Sequence, residues 1–188
     1  MNKFFHCLCA ASAIAASLFI SEPAAGAAKD SRAEMDTFIG NLMADMTIDE
    51  KIGQLNLCGA GDIDTGPIAQ SNIASRLKRG EVGAVLNLMG ADRIARLQKY
   101  AVENGPHHIP LIFGLDIIHG YRTIFPIPLG IAATWNLPAV EQSAAIAATE
   151  AGHDGLSWTF SPMVDICRDP RWGRQAECNG EDPWLSSE

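Results

Sequence analysis

Apolar residues recur at helical spacing near the start of the chain. Counted from Met35, they occupy positions i, i+3, i+4, i+7, i+8 and i+11, which predicts an amphipathic helix over residues 35–46. Thr47 and Glu50 then have the spacing of a capping box. This pair predicts the start of a second helix, whose apolar positions are Ile48, Ile52 and Leu55.

Three rounds of a helix followed by an apolar strand come next. The helices are predicted at about 73–78, 92–103 and 138–152. The strands that follow them are predicted at 82–88, 109–116 and 157–166. Gly80 and Gly105 end the first two helices, and Asn136 or Leu137 lies near the cap of the third.

The regular alternation of helix and strand indicates an α/β protein. Leu111, Ile112 and Phe113 form an apolar run without alternation, which suits a strand buried on both faces of a parallel sheet. An open doubly wound sheet with a dinucleotide site would need a glycine fingerprint, and Asp64 occupies its third glycine position. A complete (β/α) TIM-type barrel needs roughly 250 residues and eight strands. With about four strands, the chain is expected to hold only about the first half of such a barrel.

The first 27 residues have the pattern of a cleavable signal peptide. Lys3 precedes an uncharged, largely apolar run over residues 4–20, and small residues follow at 24–28. The alternative is a membrane anchor, but this run is shorter than the roughly 20 apolar residues that a spanning helix needs. We therefore expect an exported protein, periplasmic or secreted, in which residues 28–188 form the first part of the barrel domain.

Composition narrows the classes of partner and cofactor. Cleavage after Ala27 would remove Lys3 and Glu22 together, so the formal net charge would stay at −8. Such a charge argues against nucleic acid and anionic membrane surfaces as partners. The three remaining cysteines (Cys58, Cys167 and Cys178) are widely spaced and odd in number, so they define no disulfide framework. After residue 27 the sequence contains no CxxC pair or Cys/His cluster, and no cofactor or metal is expected.

The candidate functional residues lie at the carboxyl ends of two predicted strands, where parallel α/β folds place their active sites. Asp116 follows five apolar residues and is expected to face the rim of the sheet. It could bind hydroxyl groups, act as an acid or base, ligate a metal, or simply cap the next turn. His119 makes a metal hydrolase conceivable, although two residues are a weak ligand set. His107 and His108 are predicted to be loop residues.

The second strand end, residues 161–174, carries three arginines: Arg168, Arg171 and Arg174. They could form a phosphate site, but five acidic residues between 165 and 182 outnumber them. Internal ion pairing with one guanidinium left free is therefore the better interpretation. All four tryptophans of the chain lie after residue 134. Each could either pack against the apolar face of a pyranose ring or belong to the core. Together these features favour a polar, uncharged, ring-shaped ligand.

Three stretches make the resemblance to a known family specific. They are MTIDEKIGQL at 46–55, the run from IPLIFGLD to PIPLG over 109–130, and the run from SPMVDICRDPRWGR to GEDP over 161–183. The chain resembles the N-terminal part of glycoside hydrolase family 3, of the bacterial periplasmic β-glucosidase type. The resemblance implies a TIM-like barrel followed by an α/β sandwich domain, with retaining hydrolysis of terminal non-reducing β-D-glucosyl residues. A β-glucoside or oligosaccharide is the implied substrate.

The resemblance also assigns roles to single residues. Asp116 matches the family's aspartate that binds glucose hydroxyls, and Arg174 matches the arginine that holds the same sugar. It implies that Arg168, Asp169 and Arg171 order the loop, with Trp172 packed beneath. It places the nucleophile, the acid/base and a Lys-His pair beyond Glu188, so we expect no catalytic residue among these 188 and no turnover from them alone. Cys178 departs from the family pattern.

Three alternatives remain open at this stage. The β-N-acetylglucosaminidase branch of the same family carries a catalytic histidine on a loop, and the pattern over residues 168–174 argues against it. An inactive sugar-binding fragment would keep Asp116 and Arg174 without turnover. A metal-dependent barrel hydrolase would be built around Asp116 and His119.

Overall fold

The computed structural model describes residues 25–59 and 73–188, and it divides the chain into two units. The first unit ends at Ala44 and holds all but the last residue of helix α1 (Ala25–Asp45). This helix confirms the first predicted helix and begins ten residues earlier. Met46 falls after this helix and is buried. The predicted leader lies almost entirely outside the described residues, so it stays a prediction, as do the boundaries drawn from it.

The second unit, Asp45–Glu188, begins with helix α2 (Ile48–Gln54). Its predicted capping box is confirmed: Glu50 N donates to Thr47 Oγ1 at 3.3 Å, and Thr47 N donates to Glu50 Oε2 at 2.8 Å. The same carboxylate lies 3.2 Å from His107 Nε2. Hydrogen bonds from Thr47, and then from His107, lower the pKa of Glu50. The box satisfies helix N–H groups that would otherwise lack partners.

Four short parallel strands form the sheet of the second unit. They are β1 (Leu57–Gly59), β2 (Ala84–Leu86), β3 (Ile112–Leu115) and β4 (Trp158–Thr159), hydrogen-bonded in the order β1-β2-β3-β4. In register, Leu57 pairs with Ala84, Ala84 with Ile112, and Gly114 with Trp158. The order follows the chain without the reversal that marks a doubly wound sheet. It is the order of the first strands of a (β/α) barrel, as predicted.

The count of about four strands is confirmed, and the three strands placed along the sequence correspond in order to β2, β3 and β4 but differ from them in extent. The sequence placed no strand at β1, and β4 covers two residues instead of the predicted 157–166. Side-chain hydrogen bonds replace the ladder there: Ser161 N donates to Thr159 Oγ1, and Ser161 Oγ donates to Ile117 O at 2.6 Å. Pro162 has no N–H to continue the pairing.

Helices connect the strands and cover the sheet. They are α3 (Ile73–Lys78), α4 (Ala91–Asn104), α5 (Pro128–Ala132), α6 (Leu137–His153) and α7 (Pro183–Ser187), with 3₁₀ turns at Pro106–His108 and Gln175–Glu177. The three predicted helices are confirmed as α3, α4 and α6. Asn136 is the N-cap of α6, where its Oδ1 accepts from Ala139 N at 3.2 Å. The sequence did not predict α5 or α7, since five residues are too few for a periodic pattern.

The core lies between the sheet and the helices α4 and α6. Val85 of β2 and Phe113 of β3 are almost completely buried. Ile94 and Ala101 of α4 join the same cluster, as do Ala147 and Ala151 of α6. Full burial of a large apolar side chain contributes about 1.5–3 kcal/mol each, so this cluster fixes the strand ends that carry the site.

We expect Gly53→Ala to destabilise the second unit by about 1–3 kcal/mol. A Cβ atom at Gly53 would overlap the carbonyl oxygen of Gly80, which is backbone and cannot move aside cheaply. Gly152→Ala is the matched control, because a Cβ there meets nothing within 4 Å in helix α6. The control should be neutral or stabilising by up to about 1 kcal/mol. Urea denaturation of the two variants checks the difference, and equal midpoints would show that the contact at Gly53 is not close.

Candidate functional site

Asp116 lies directly after β3, at the carboxyl end of the sheet. The preceding strand is anchored by buried Phe113, and the next residue, Ile117, is also buried. The Asp116 side chain itself is exposed, and it accepts no hydrogen bond from the part of the chain that the structure describes. This arrangement does not support a structural capping role. It leaves a carboxylate on a rigid strand end with its acceptor sites available.

The loop after Asp116 folds back tightly on itself. Phe125 N donates to His119 O at 2.8 Å, and His119 Nδ1 lies 3.0 Å from Phe125 O. Gly120 pairs with Ile124 in an isolated antiparallel bridge. Gly120 has φ of 116°, and a Cβ there would overlap the carbonyl oxygen of Thr123, so both conformation and space require glycine. This loop holds the His119 ring beside Asp116.

Two carboxylates at the end of α6 hold this loop in place. Asp154, only 6% exposed, accepts from Tyr121 Oη at 2.6 Å and from Arg122 Nη2 at 2.8 Å. Glu150 accepts from the backbone N atoms of Arg122 and Thr123, both at 2.9 Å, and from Thr123 Oγ1 at 2.6 Å. We call these five residues the loop clamp.

The loop clamp shifts the titration of its members. The hydrogen bond from Tyr121, and then the Arg122 guanidinium, lower the pKa of Asp154. Burial, and then the Asp154 carboxylate, raise the pKa of Tyr121 to about 12. Sequence reasoning missed both acids of the clamp. The available signal was a pair of carboxylates four residues apart at the end of an alanine-rich helix, since such a pair lies on one face.

The arginine-rich segment after β4 is internally paired, as predicted. Arg171 forms a bidentate contact with Asp169, with Nε 2.9 Å from Oδ1. Arg174 forms another with Glu177, with Nη2 2.7 Å from Oε2 and Nε 3.1 Å from Oε1. Each guanidinium lowers the pKa of its partner carboxyl. Within the described residues, Arg168 is the one arginine of the three without an ion pair, whereas Arg174, the expected sugar ligand, is paired with Glu177.

A cavity of about 380 Å³ brings the two strand ends together. Asp116, His119 and Glu177 supply its polar lining, with Ile124 and Ile127 among its apolar walls. Glu177, and beyond it Asp165 and Asp116, raise the pKa of Arg174, so its guanidinium lies within electrostatic reach of Asp116. Sequence reasoning counted Glu177 only as a member of an acidic group. Its position three residues after Arg174 was the signal that could have assigned it.

A larger cavity of about 460 Å³ adjoins the first and shares His119 and Glu177 with it. Its walls include Ile117, Trp158 and Met163. The Trp158 ring packs against Phe160 at a centroid distance of 4.6 Å, and both are partly exposed. Trp158 thus borders this cavity. Trp135 and Trp184 stack on each other at 6.3 Å, and Trp172 is half-buried in its loop.

The described residues offer no metal-binding cluster of three or more His, Cys, Asp or Glu side chains. Asp116 and His119 therefore gain no third ligand within this part of the chain. His107 contacts Glu50, and His108 Nδ1 lies 2.7 Å from Val102 O, so both are loop residues as predicted. Within the same described residues, no helix has the length and apolar character needed to cross a membrane.

Comparisons with known proteins place this fold and site in a family. The model of the glycosyl hydrolase family 3 N terminal domain matches residues 47–188. The periplasmic beta-glucosidase of Salmonella typhimurium is 41% identical over 175 residues, which are 93% of this chain and 22% of that protein. The lysosomal beta glucosidase of Dictyostelium discoideum is 34% identical, over 81% of this chain and 21% of that protein. The chain spans about a fifth of the length of these relatives.

Solved structures agree with the strand order. A beta-glucosidase from Listeria innocua in complex with isofagomine superimposes with a TM-score of 0.70 at 38% identity, over 78% of this chain and 20% of that one. A beta-N-acetylhexosaminidase from Beutenbergia cavernae has a TM-score of 0.61 at 19% identity, which shows a shared fold alone. The predicted α/β fold, the first part of a (β/α) barrel, is thereby confirmed. The chain belongs to glycosyl hydrolase family 3.

Proposed function

We propose that the protein is a β-glucosidase that releases terminal non-reducing β-D-glucosyl residues with retention of configuration. Family membership and the names of the similar proteins in Salmonella and Dictyostelium support the reaction class. Structures of the Listeria β-glucosidase include complexes with glucose and with laminaribiose, which supports a β-glucoside as the substrate here. In this proposal residues 46–188 supply one wall of the subsite for the terminal glucose.

The exposed Asp116 carboxylate is the observation that carries this proposal. It stands at the carboxyl end of β3, has no described partner, and lines a cavity large enough for a sugar ring. A carboxylate oxygen pair can accept two charge-assisted hydrogen bonds from neighbouring hydroxyl groups of one ring. Asp116 is therefore a sugar ligand in this proposal.

Arg174 is the second sugar ligand, and Glu177 orients it. The contacts with Glu177 use Nε and Nη2 of the guanidinium, so the Nη1 donors have no partner among the described residues. A planar guanidinium held along one edge presents its other donors in a fixed direction. The pairing of Asp169 with Arg171 orders the turn that carries Trp172. Arg168 directly precedes this turn in the sequence.

The cleavage step needs two carboxyl groups about 5 Å apart, one as nucleophile and one as acid/base. Asp116 and Glu177 line one cavity, but Glu177 is engaged by Arg174, which lowers its pKa and removes it from acid chemistry. In our proposal neither residue cleaves the bond. Asp116 and Arg174 hold the glucose, and the cleaving pair comes from elsewhere in the protein.

We also propose that the protein is exported, with residues 1–27 as its leader. The charged start, the apolar run and the small residues at 24–28 support this, and the similar Salmonella protein is periplasmic. Residues 28–188 then belong to the mature protein.

The intact gene product should hydrolyse 4-nitrophenyl β-D-glucoside and retain this activity in EDTA. It should act much more slowly on 4-nitrophenyl N-acetyl-β-D-glucosaminide. NMR of the first-formed sugar should show the β anomer, because retention passes through two inversions. Preference for the N-acetyl substrate would assign the protein to the glucosaminidase branch, and complete loss of activity in EDTA would support the metal-dependent alternative.

A further inference from the structure

Two buried cysteines stand at the two ends of the arginine-rich loop. Cys167 is 5% exposed and Cys178 is completely buried. Between them lie both bidentate ion pairs of the loop, Asp169 with Arg171 and Arg174 with Glu177. Cys58, the third cysteine of the described residues, belongs to strand β1. The sequence spacing alone did not pair any of the three.

The backbone brings the two ends of this loop together. Cys167 N donates to Gly180 O at 3.0 Å. This hydrogen bond joins the irregular segment that follows β4 to the segment just after Cys178. Cys178 Sγ lies 3.0 Å from Gln175 O, inside the loop. Burial, and then the interaction with the Cys178 thiol, raise the pKa of Cys167 to about 11. One uncharged thiol acts on another only at short range, so the two sulfurs are neighbours.

We propose that Cys167 and Cys178 form a disulfide that closes residues 168–177 into a loop braced at its base. The reaction is a thiol–disulfide exchange with an external disulfide, such as oxidised glutathione or a disulfide oxidoreductase. One cysteine, as thiolate, attacks the external disulfide and releases one external thiol. The second then attacks the mixed disulfide and releases the other. The protein loses two electrons and two protons, and the external disulfide gains them.

Bond formation precedes burial. In the folded chain, burial keeps the Cys167 thiol protonated, and a protonated thiol is a poor nucleophile. An exported chain meets the oxidising compartment while it folds, when both thiols are still accessible. Once formed, the bond is buried and protected from reductants. Cys178 gives up its weak S–H contact with Gln175 O in exchange.

The disulfide ties the second sugar ligand to the barrel. Arg174 and Glu177 lie within the closed loop. A loop whose ends are joined covalently has fewer accessible conformations, so the position of Arg174 is better defined. This consequence rests on the proposed function and on export, whereas the bond itself does not. A protein with the bond and no glucosidase activity would refute the function alone.

Differential alkylation followed by mass spectrometry tests the bond directly. The purified chain is unfolded, refolded in a mixture of oxidised and reduced glutathione, then denatured again and alkylated without reductant. Of the three cysteines after residue 27, we expect only Cys58 to be alkylated at this step, with Cys167 and Cys178 alkylated after reduction. A tryptic digest should contain the peptide ending at Arg168 linked to the one beginning at Gln175, lighter by two hydrogens than the sum of the two.

Matched serine variants locate the bond. Cys167→Ser should make Cys178 fully alkylated without reductant, whereas Cys58→Ser should leave the linked peptide pair unchanged. Protein that is reduced while unfolded and then refolded without oxidant should have a Tm roughly 5–10 °C below that of the oxidised protein. Full alkylation of Cys167 and Cys178 in the oxidised wild-type chain, or a link from either to Cys58, would overturn the proposal, and neither readout depends on whether a variant folds.

Discussion

Replacement of Asp116 by asparagine is expected to lower kcat/KM for a chromogenic β-glucoside by about 10²- to 10³-fold. The amide keeps the size of the side chain but removes the charge and one acceptor, so it holds the ring hydroxyls with neutral hydrogen bonds at best. The loss corresponds to about 3–4 kcal/mol of binding to the transition state. Steady-state kinetics of the intact gene product measure it.

Asp92→Asn is the control for this experiment, because Asp92 is an exposed aspartate in the first turn of α4, away from the cavity. Its kcat/KM should stay within about twofold of the wild type, since exposed surface changes are usually small. Both variants should keep the wild-type Tm within a few degrees. If Asp116→Asn were as active as Asp92→Asn, Asp116 would not contact the sugar, and the proposed subsite would be wrong.

The second large effect concerns stability: Asp154→Ala should lower the free energy of unfolding by about 2–4 kcal/mol. The change leaves the half-buried Tyr121 hydroxyl without its acceptor and releases the loop that carries His119. The Arg122 side chain is 67% exposed, so its ion pair contributes the smaller part. Urea denaturation measures the loss, with Glu141→Ala, an exposed position on α6, as control.

The pH dependence gives an independent test of the loop clamp. The pKa of Asp154 is lowered below its ordinary value of 3.8, so the folded state binds fewer protons there than the unfolded state. Its contribution to stability is therefore complete above about pH 5, and it is lost as the pH falls through the folded pKa. The wild type should lose more stability than Asp154→Ala between pH 5 and the acid limit. Parallel pH profiles would show that the pKa of Asp154 is not lowered by folding, which would contradict the loop clamp.

Local patterns in the sequence predicted local structure well. The capping box of Thr47 and Glu50 and the cap at Asn136 formed as expected, because each involves residues three apart whose geometry the helix itself sets. The alternation of α3, α4 and α6 with apolar strands predicted the parallel order. The extent of β4 was wrong, because a strand ends where its neighbour stops pairing and Ser161 turns to Ile117. That neighbour lies more than forty residues earlier in the chain.

In the candidate site, too, the sequence identified some of the residues and only the structure identified the others. Asp116 stands out in the sequence because a carboxylate ends the most apolar strand, and Arg174 stands out through the family motif that carries it. The sequence did not identify Glu177 as the ion-pair partner of Arg174. It also did not show that Glu177 and Asp116 line the same cavity. The role of each of these residues in holding the sugar stays a prediction, and the experiment on Asp116 is its first test.

The sequence by itself determined the α/β class, the order of the elements, the family and the two residues that we expect to hold the sugar. Periodicity, caps and contiguous motifs carry that information, and all of them act over a few residues. Only the tertiary structure decided that Asp154 clamps Tyr121 and that Cys167 meets the segment after Cys178. The Asp154 contact spans more than thirty residues, and it exists because the loop after β3 packs on the end of α6. Such pairings depend on how the elements pack, which no local pattern encodes.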